Sequence, residues 1–447
     1  MTKLIYLTFF SVIAPLSLFT LGGFTIGVSD CLLAALAYIS ALSLTATYGR
    51  RLVKTKLHTL LLLLILAALI SYAVNLETLD VAGTLTTFLK WLAAWFSFFG
   101  IYYIFYGKAT VREVERLDRT ILLGGVIVLL LVAFTSYSPD LLTPFFKTEI
   151  SRDALSKAAT TGVVREFLPY WGTDRLAPFL ALLFNIAFAH LVLDKSLPPN
   201  RKIPYLVFSF VVAIALIQTY TRAALAGTAV SIVMILLHSR SNKAKLTYPA
   251  LVVLGCFLVV SYLPDFVLPY VHHREAPSYA PVVGFGSGAE KIISGNVLGR
   301  LYIASLGLKK FAEHPVFGSG FGTPLQGLTL TFGHAHDSYV SALYMLGIVG
   351  FVAYICVIIK IVRLARRATI VFGEGSSARA FAVAFYSWLI GMLVMSFSDS
   401  VLFWPYELVF AMMLVTAILC AVGRGSLEQA AGGIQLKSER DFARAGR

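Results

Sequence analysis

The chain has 447 residues, of which 58% are hydrophobic and only 13% are charged. Average soluble domains carry about 25% charged residues, so this composition excludes a soluble enzyme, a coiled coil and a disordered chain. The formal net charge of +14 would suit nucleic-acid binding, but a mean hydropathy of +0.80 indicates repeated membrane-spanning helices instead.

Twelve apolar segments are long enough to cross a bilayer, and in chain order they are 3–22, 31–48, 57–74, 84–106, 120–137, 176–193, 204–220, 222–238, 246–263, 339–359, 380–396 and 402–422. The apolar runs are continuous, as in Leu60–Leu66, which favours helices over the alternating strands of a membrane barrel. No small-residue cleavage site follows the first segment, so we expect a retained helix there. The sequence therefore predicts an all-α polytopic membrane protein with about twelve transmembrane helices.

Lysine and arginine are distributed unequally between the two sides of this predicted bundle. With the N-terminus in the cytoplasm, 25 of the 37 basic residues fall on the cytoplasmic side, 11 fall on the outer side, and Lys90 lies within a span. This asymmetry follows the positive-inside rule and predicts that both termini are cytoplasmic. The positive charge then reflects orientation and contact with anionic membrane lipids, and no nucleic-acid partner is expected.

Two predicted outer loops are much longer than the others and divide the chain into helices 1–5 (1–137), an outer loop (138–175), helices 6–9 (176–263), a large outer loop (264–338), helices 10–12 (339–422) and a cytoplasmic tail (423–447). Long loops are usually functional or disordered. In the larger one, apolar spacing predicts a short amphipathic helix over 300–312. We interpret the glycines of 284–288 and 318–322 as turns at a loop tip.

Several familiar cofactor and metal motifs are absent from the sequence. There is no G-x-x-x-x-G-K-[ST] phosphate loop, no D-x-D and no H-E-x-x-H. The four cysteines show no paired spacing, which gives no indication of disulfides or zinc. We therefore expect neither a cofactor nor a metal.

His336 directly precedes the tenth predicted span. An imidazole at the outer mouth of a helical bundle can accept a proton from a hydroxyl group, although a histidine in a polar loop can equally be solvated. Asp337 could orient that imidazole or cap the helix that follows.

The histidines near the cytoplasmic ends of spans are predicted to be interfacial; they are His58, His190 and His238.

Arg222 stands between two predicted spans that are joined with almost no loop. Its guanidinium could snorkel to the headgroups, or it could point into a cavity and clamp an anion bidentately. Arg175 and Arg300 have the same two interpretations, and Lys90 could snorkel or reach the same cavity. One histidine and several arginines at the outer mouth would suit group transfer from a membrane-anchored phosphorylated substrate, with arginines neutralising the leaving diphosphate.

The stretch from about 205 to 360 resembles the conserved module of the O-antigen ligase and polymerase superfamily. The resemblance rests on Thr221–Ala224, on Gly299–Arg300 followed by His314–Gly322, and on His336–Asp337 with Gly347 eleven positions after the histidine. These motifs cover about a third of the chain, and they are more specific for the superfamily than for its ligase branch.

The resemblance implies transfer of O-antigen polysaccharide from undecaprenyl diphosphate to the lipid A–core oligosaccharide, at the periplasmic face of a Gram-negative inner membrane. It also implies that His336 is the general base and that Arg222 and Arg300 bind the diphosphate. Thr221 and Asp337 stand where the family commonly has Ser and Asn. Threonine keeps the hydroxyl, whereas Asp337 adds a negative charge beside the imidazole.

Two other classes of function fit the same features. The O-antigen polymerase and protein O-oligosaccharyltransferase branches would use a similar donor with a different acceptor, and a carrier or flippase for lipid-linked glycans would perform no chemistry. The large outer loop and the histidine motif favour a ligase or a protein-acceptor enzyme over a polymerase. The absence of an internal repeat argues against a transporter.

Overall fold

A computed structural model describes residues 2–13, 17–21, 24–49, 55–77, 79, 81–106, 108–137, 173–219, 221–239, 297–323, 325, 337–397, 401–403 and 405–423. Their regular elements are, in chain order, α1 (Thr2–Ile13), β1 (Ser17–Leu21), β2 (Phe24–Gly27), α2 (Val28–Gly49), α3 (Lys56–Val74), α4 (Val81–Phe105), α5 (Val111–Tyr137), α6 (Thr173–Leu193), α7 (Pro199–Gln218), α8 (Arg222–Leu237), α9 (Val297–Glu313), α10 (Ser338–Val371), α11 (Ser377–Met395) and α12 (Tyr406–Gly423).

Eight helices of the described residues are long and apolar enough to cross a membrane, namely α3, α4, α5, α6, α7, α10, α11 and α12. They coincide with eight of the predicted spans, and they confirm a polytopic membrane architecture. α8 has 16 residues, or about 24 Å at 1.5 Å per residue, which is short for a hydrocarbon core of about 30 Å. The predicted span 246–263 lies outside the described residues, so the number of spans and the side of each terminus stay predictions.

The first predicted span, 3–22, was wrong in its extent. α1 ends at Ile13, and the two strands that follow form an antiparallel hairpin in which Leu21 pairs with Phe24. Two short aromatic and β-branched runs separated by Gly22–Gly23 are a hairpin signal. The continuous apolar character of the segment concealed this signal in the sequence.

α11 packs against four other helices of the described bundle. It contacts α8, α6, α10 and α5, while α10 also packs against α3 and α9, α2 against α4, and α6 against α7. The indole N–H of Trp388 in α11 donates to the carbonyl oxygen of Pro178 in α6 at 2.9 Å. This buried hydrogen bond joins α11 to α6.

α8 and α11 approach closely because both carry small residues where they cross. A Cβ atom on Gly227 would lie 2.6 Å from the carbonyl oxygen of Gly391, and one on Gly391 would collide with Ser231 and Gly227. The Ser231 hydroxyl also lies 2.9 Å from the carbonyl oxygen of Ser387. Small residues of this kind let helices pack backbone to backbone in membranes.

We expect the substitution Gly391→Leu to destabilise the protein by about 1–3 kcal/mol, because the new side chain would overpack the α8–α11 crossing. The measurement is the unfolding midpoint of purified protein in mixed micelles. Gly373→Leu is the matched control, because a Cβ atom at Gly373 would meet nothing within 4 Å. Equal midpoints for the two variants would contradict the close crossing.

Candidate functional site

Asp337 caps the N-terminus of α10. Its Oδ1 accepts hydrogen bonds from the backbone N–H groups of Tyr339 at 2.8 Å and Val340 at 2.9 Å. Burial raises the pKa of the Asp337 carboxyl, although these two hydrogen bonds act in the opposite direction. Two roles were predicted for Asp337, to orient His336 or to cap the following helix. The described residues show that it caps α10.

Three further bonds hold the start of α10 against α11 and the segment before α12. The N–H of Ser338 donates to the carbonyl oxygen of Ser396 at 2.9 Å, and the N–H of Leu402 donates to the Ser338 hydroxyl oxygen at 3.2 Å. The Tyr339 hydroxyl donates to the carbonyl oxygen of Leu393 at 3.1 Å. We call this end of the bundle, where α10 starts and α11 ends, the Asp337 end.

α8 begins with Arg222 at the Asp337 end. A Cβ atom on Gly227, five residues into α8, would lie 2.6 Å from the side chain of Met395, the last residue of α11. The structure therefore brings the backbone of Arg222 to the end of the bundle where Asp337 lies. The side chain of Arg222 is outside the described part of the structure.

Arg175, the third predicted arginine, forms an ion pair at the start of α6. Its Nη1 lies 2.9 Å from Oε1 of Glu407, which belongs to the first turn of α12. The Glu407 side chain is 3% exposed, whereas the Arg175 side chain is 29% exposed. The guanidinium is thus paired with a buried carboxylate, while part of the Arg175 side chain is exposed.

Lys90 has a similar pairing nearby. Its Nζ lies 2.9 Å from Oδ1 of Asp30 at the start of α2, and 5.6 Å from the centre of the Tyr406 ring. Tyr406 adjoins Glu407, so both basic residues meet the first turn of α12. Lys90 and Arg175 therefore lie near the first turn of α12, and each of these two basic groups faces a carboxylate.

α10 contains a break that the sequence analysis missed, since the prediction treated 339–359 as one continuous span. Gly347 adopts φ 65° and ψ −175° inside the helix. The loop Pro315–Gly320 contacts the break, and Gly318, Gly320 and Gly322 all have positive φ. An isolated glycine in an apolar helical run is usually tolerated without a break. The only feature of the sequence that singled out Gly347 was its spacing from His336.

The glycine-rich segment 318–322 does form turns, but it does not form a loop tip. Its residues from Gly318 to Phe321 are buried, and the ring of Phe321 packs against Phe88, Trp91 and Phe403 with centroid distances of 5.3, 5.1 and 6.0 Å. The segment is therefore part of the protein core between α4, α10 and the approach to α12.

The predicted base, His336, lies outside the described residues, as do the glycines of 284–288. Arg300 belongs to α9, which confirms the helix predicted over 300–312 and packs against α10, but the Arg300 side chain is not described. Within the described ranges, no group of three His, Cys, Asp or Glu side chains is arranged to hold a metal ion.

A buried cluster at the opposite end of α6 was also missed, because His190 was predicted to be interfacial. Its side chain is fully buried, with Nε2 2.9 Å from Oδ2 of Asp118 and Nδ1 3.1 Å from Oδ2 of Asp194. The spacing of His190 and Asp194 is the i, i+4 signal of a helical pair. Asp118 lies on α5, and no local sequence pattern links it to His190.

His58 is likewise buried, which contradicts its predicted interfacial position. Its Nδ1 accepts a hydrogen bond from the N–H of Thr55 at 3.2 Å and completes the N-terminal cap of α3. The imidazole ring packs edge-on against the rings of Phe98, Phe99 and Tyr102. This histidine therefore serves the packing of α3 on α4.

Comparison with protein families finds a match to the family described as O-antigen ligase, over residues 207–355. This stretch includes most of α7, all of α8 and α9, the glycine-rich loop and the first half of α10, so it contains the break at Gly347. It coincides with the stretch whose motifs carried the resemblance. No curated protein matches the chain.

Proposed function

Because residues 207–355 match the family described as O-antigen ligase, we propose that the protein is a glycosyltransferase that acts on a lipid-linked polysaccharide. Its donor is O-antigen on undecaprenyl diphosphate, and its acceptor is the lipid A–core oligosaccharide. The reaction takes place at the periplasmic face of the inner membrane. The family match is the observation that carries this proposal, and the arrangement of α8 and α10 supports it.

In the proposed reaction, the acceptor hydroxyl oxygen forms a bond to the anomeric carbon of the first donor sugar, and the bond from that carbon to the diphosphate oxygen breaks. His336 takes the hydroxyl proton as general base. Arg222 and Arg300 neutralise the negative charge that develops on the leaving undecaprenyl diphosphate. The scheme needs no metal, because the guanidinium groups perform the neutralisation.

The geometry of the described residues supports a single reaction centre. Gly227, five residues after the start of α8, lies against Met395 at the end of α11, and α10 starts one residue after Asp337 against the same end of α11. The two motif segments that are far apart in sequence thus reach the same end of the bundle. Arg175 is a further substrate-binding candidate there, because its side chain is partly exposed beside Glu407.

In this proposal, the reaction takes place at the end of the large outer loop, 264–338, and at the first residues of the tenth span. Short polar loops and the basic tail would face the cytoplasm, as the distribution of lysine and arginine predicts. This placement puts the polysaccharide on the periplasmic side and the lipid portion of both substrates within the bilayer.

The experiment that tests the proposal is transfer by purified protein in vesicles. We expect the full chain to move labelled glycan from undecaprenyl diphosphate onto lipid A–core without ATP and in the presence of EDTA. In parallel, a deletion strain should accumulate lipid-linked polymer and lose smooth lipopolysaccharide. Omission of lipid A–core is the control, and it should abolish product formation.

Other outcomes would favour the alternatives. A deletion strain that makes core capped with single repeats would indicate an O-antigen polymerase, and transfer to protein rather than lipid A–core would indicate a protein O-oligosaccharyltransferase. Transport of the lipid-linked glycan across the vesicle membrane without any new glycosidic bond would contradict an enzyme.

A further inference from the structure

The loop Pro315–Gly320 fills the break in α10 at Gly347. In an uninterrupted α-helix, the N–H groups of Ile348 and Val349 would donate to carbonyl oxygens four residues earlier. Here the N–H of Ile348 donates to the carbonyl oxygen of Pro315 at 2.9 Å, and that of Val349 lies 3.4 Å from the carbonyl oxygen of Val316. The loop thus supplies both acceptors that the break removes.

The same loop satisfies the other side of the break. The carbonyl oxygen of Tyr344 accepts from the N–H of Ser319 at 2.8 Å, and that of Met345 accepts from the N–H of Gly320 at 3.2 Å. The Ser71 hydroxyl on α3 also donates to the Met345 oxygen at 2.6 Å. Irregular backbone at membrane depth is tolerated only where protein covers it, and here four loop groups replace two helical hydrogen bonds.

This interlock depends on two glycines. The φ and ψ of Gly347 lie in a region that is essentially restricted to glycine. A Cβ atom on Gly347 would lie 2.5 Å from the backbone nitrogen of Gly318, and one on Gly318, where φ is 74°, would lie 2.5 Å from the backbone nitrogen of Gly347. The two backbones are therefore in direct contact, and neither position has room for a side chain.

The consequence is that the helical segment Ser338–Leu346 is held at both ends. Its first residue is bonded to Ser396 and Leu402, and its last turn is bonded to the loop. Because both ends of this segment are anchored, the backbone at Asp337, which caps it, is held in place. His336 is joined to Asp337 in the chain.

We propose that Gly318 and Gly347 are positioning residues for the general base, an inference that rests on the proposed function. They do not touch substrate; they let the loop lock the segment that carries His336 toward the acceptor hydroxyl. A general base must lie within hydrogen-bond reach of the proton it removes, and a displacement of about 1 Å can lower a rate about 100-fold.

The test measures kcat and the donor KM for transfer by the purified full chain carrying Gly347→Ala, with Gly373→Ala as matched control. We expect Gly347→Ala to lower kcat about 100-fold while the donor KM changes by less than about threefold, and Gly373→Ala to resemble the unaltered protein. Unchanged kcat, or a raised KM with unchanged kcat, overturns the proposal, because the loop would then be dispensable or would bind the donor.

If Gly347→Ala does not fold, Ser71→Ala decides, because it removes one hydrogen bond to the Met345 oxygen and leaves the glycines in place. We expect a fall in kcat of about threefold to tenfold at unchanged KM, on the scale of one hydrogen bond. Unchanged kcat in that variant overturns the proposal.

A measurement independent of activity separates this proposal from the proposed function. Spin labels are attached to His336→Cys and Val74→Cys in a chain whose own cysteines are replaced by alanine; these are Cys31, Cys256, Cys356 and Cys420. The measured quantity is the distribution of distances between the two labels. We expect Gly347→Ala to shift or broaden it, and Ser71→Ala replaces that variant if it does not fold. Gly373→Ala should leave the distribution unchanged. An unchanged distribution overturns the positioning role, whereas an unaltered protein without transfer activity contradicts the proposed function alone.

Discussion

Replacing His336 with alanine is expected to abolish attachment of O-antigen to lipid A–core while the protein still inserts and folds. General-base catalysis contributes about 10²- to 10⁴-fold to a rate, and no second histidine adjoins the start of α10 among the described residues. The measurement is the transfer rate of purified protein, together with the lipopolysaccharide profile of a deletion strain that carries the variant.

His238→Ala is the control for loss of a histidine. Its Nδ1 lies 2.8 Å from the carbonyl oxygen of Met234 at the end of α8, away from Arg222. We expect this variant to restore smooth lipopolysaccharide in the deletion strain. Full-length smooth lipopolysaccharide in the His336→Ala strain would contradict the assignment of His336 as the base, whereas loss in both strains would point to a folding defect.

The sequence predicted the membrane-spanning helices because the length of an apolar segment is a local signal. The orientation that the distribution of lysine and arginine indicates stays a prediction. Eight predicted spans coincide with long apolar helices. The hairpin after α1 was hidden because its residues are as apolar as those of a span. Hydropathy measures transfer into the membrane, and it does not separate a short strand pair from a helix.

The sequence suggested which residues could form the site, but it did not predict the backbone contacts that hold the start of α10. The His336–Gly347 spacing was visible, yet the break depends on a loop whose carbonyl and N–H groups substitute for helical ones. Tertiary packing, rather than a local sequence pattern, brings this loop to the break. Ser71 on α3 adds a hydrogen bond to Met345 from 274 positions away. Propensity and periodicity describe one element at a time, so they could not reveal it.

Arg175 illustrates the same limit for charges. The sequence identified it as a basic residue at membrane depth, which is costly unless it serves a cavity or a partner. Its partner Glu407 is 232 positions away. That acidic residue lies inside a predicted span, and burial of a carboxylate there is itself a sign that a cation must be near.

His190→Ala is expected to destabilise the protein by about 3–5 kcal/mol, because it removes the partner of two buried carboxylates. Both ring nitrogens of His190 face carboxylate oxygens, those of Asp118 and Asp194, and only the imidazolium can donate from both. Burial alone would raise the pKa of Asp194, but hydrogen bonds from His190 and Ser196 hold it below its ordinary value. The carboxylate of Asp194 is therefore ionised at neutral pH, and the histidine compensates its charge.

Equilibrium unfolding of the purified protein in mixed micelles measures this effect. His238→Ala serves again as the control, and we expect it to cost about 1 kcal/mol, because it loses a single hydrogen bond. A second variant, His190→Leu combined with Asp118→Leu and Asp194→Leu, replaces the whole cluster with apolar side chains. Replacing a buried ionic cluster with hydrophobic residues is often close to neutral in stability, so this triple variant should recover most of the stability that His190→Ala loses. If His190→Ala and the triple variant are equally unstable, the loss comes from packing around the ring rather than from the uncompensated carboxylates.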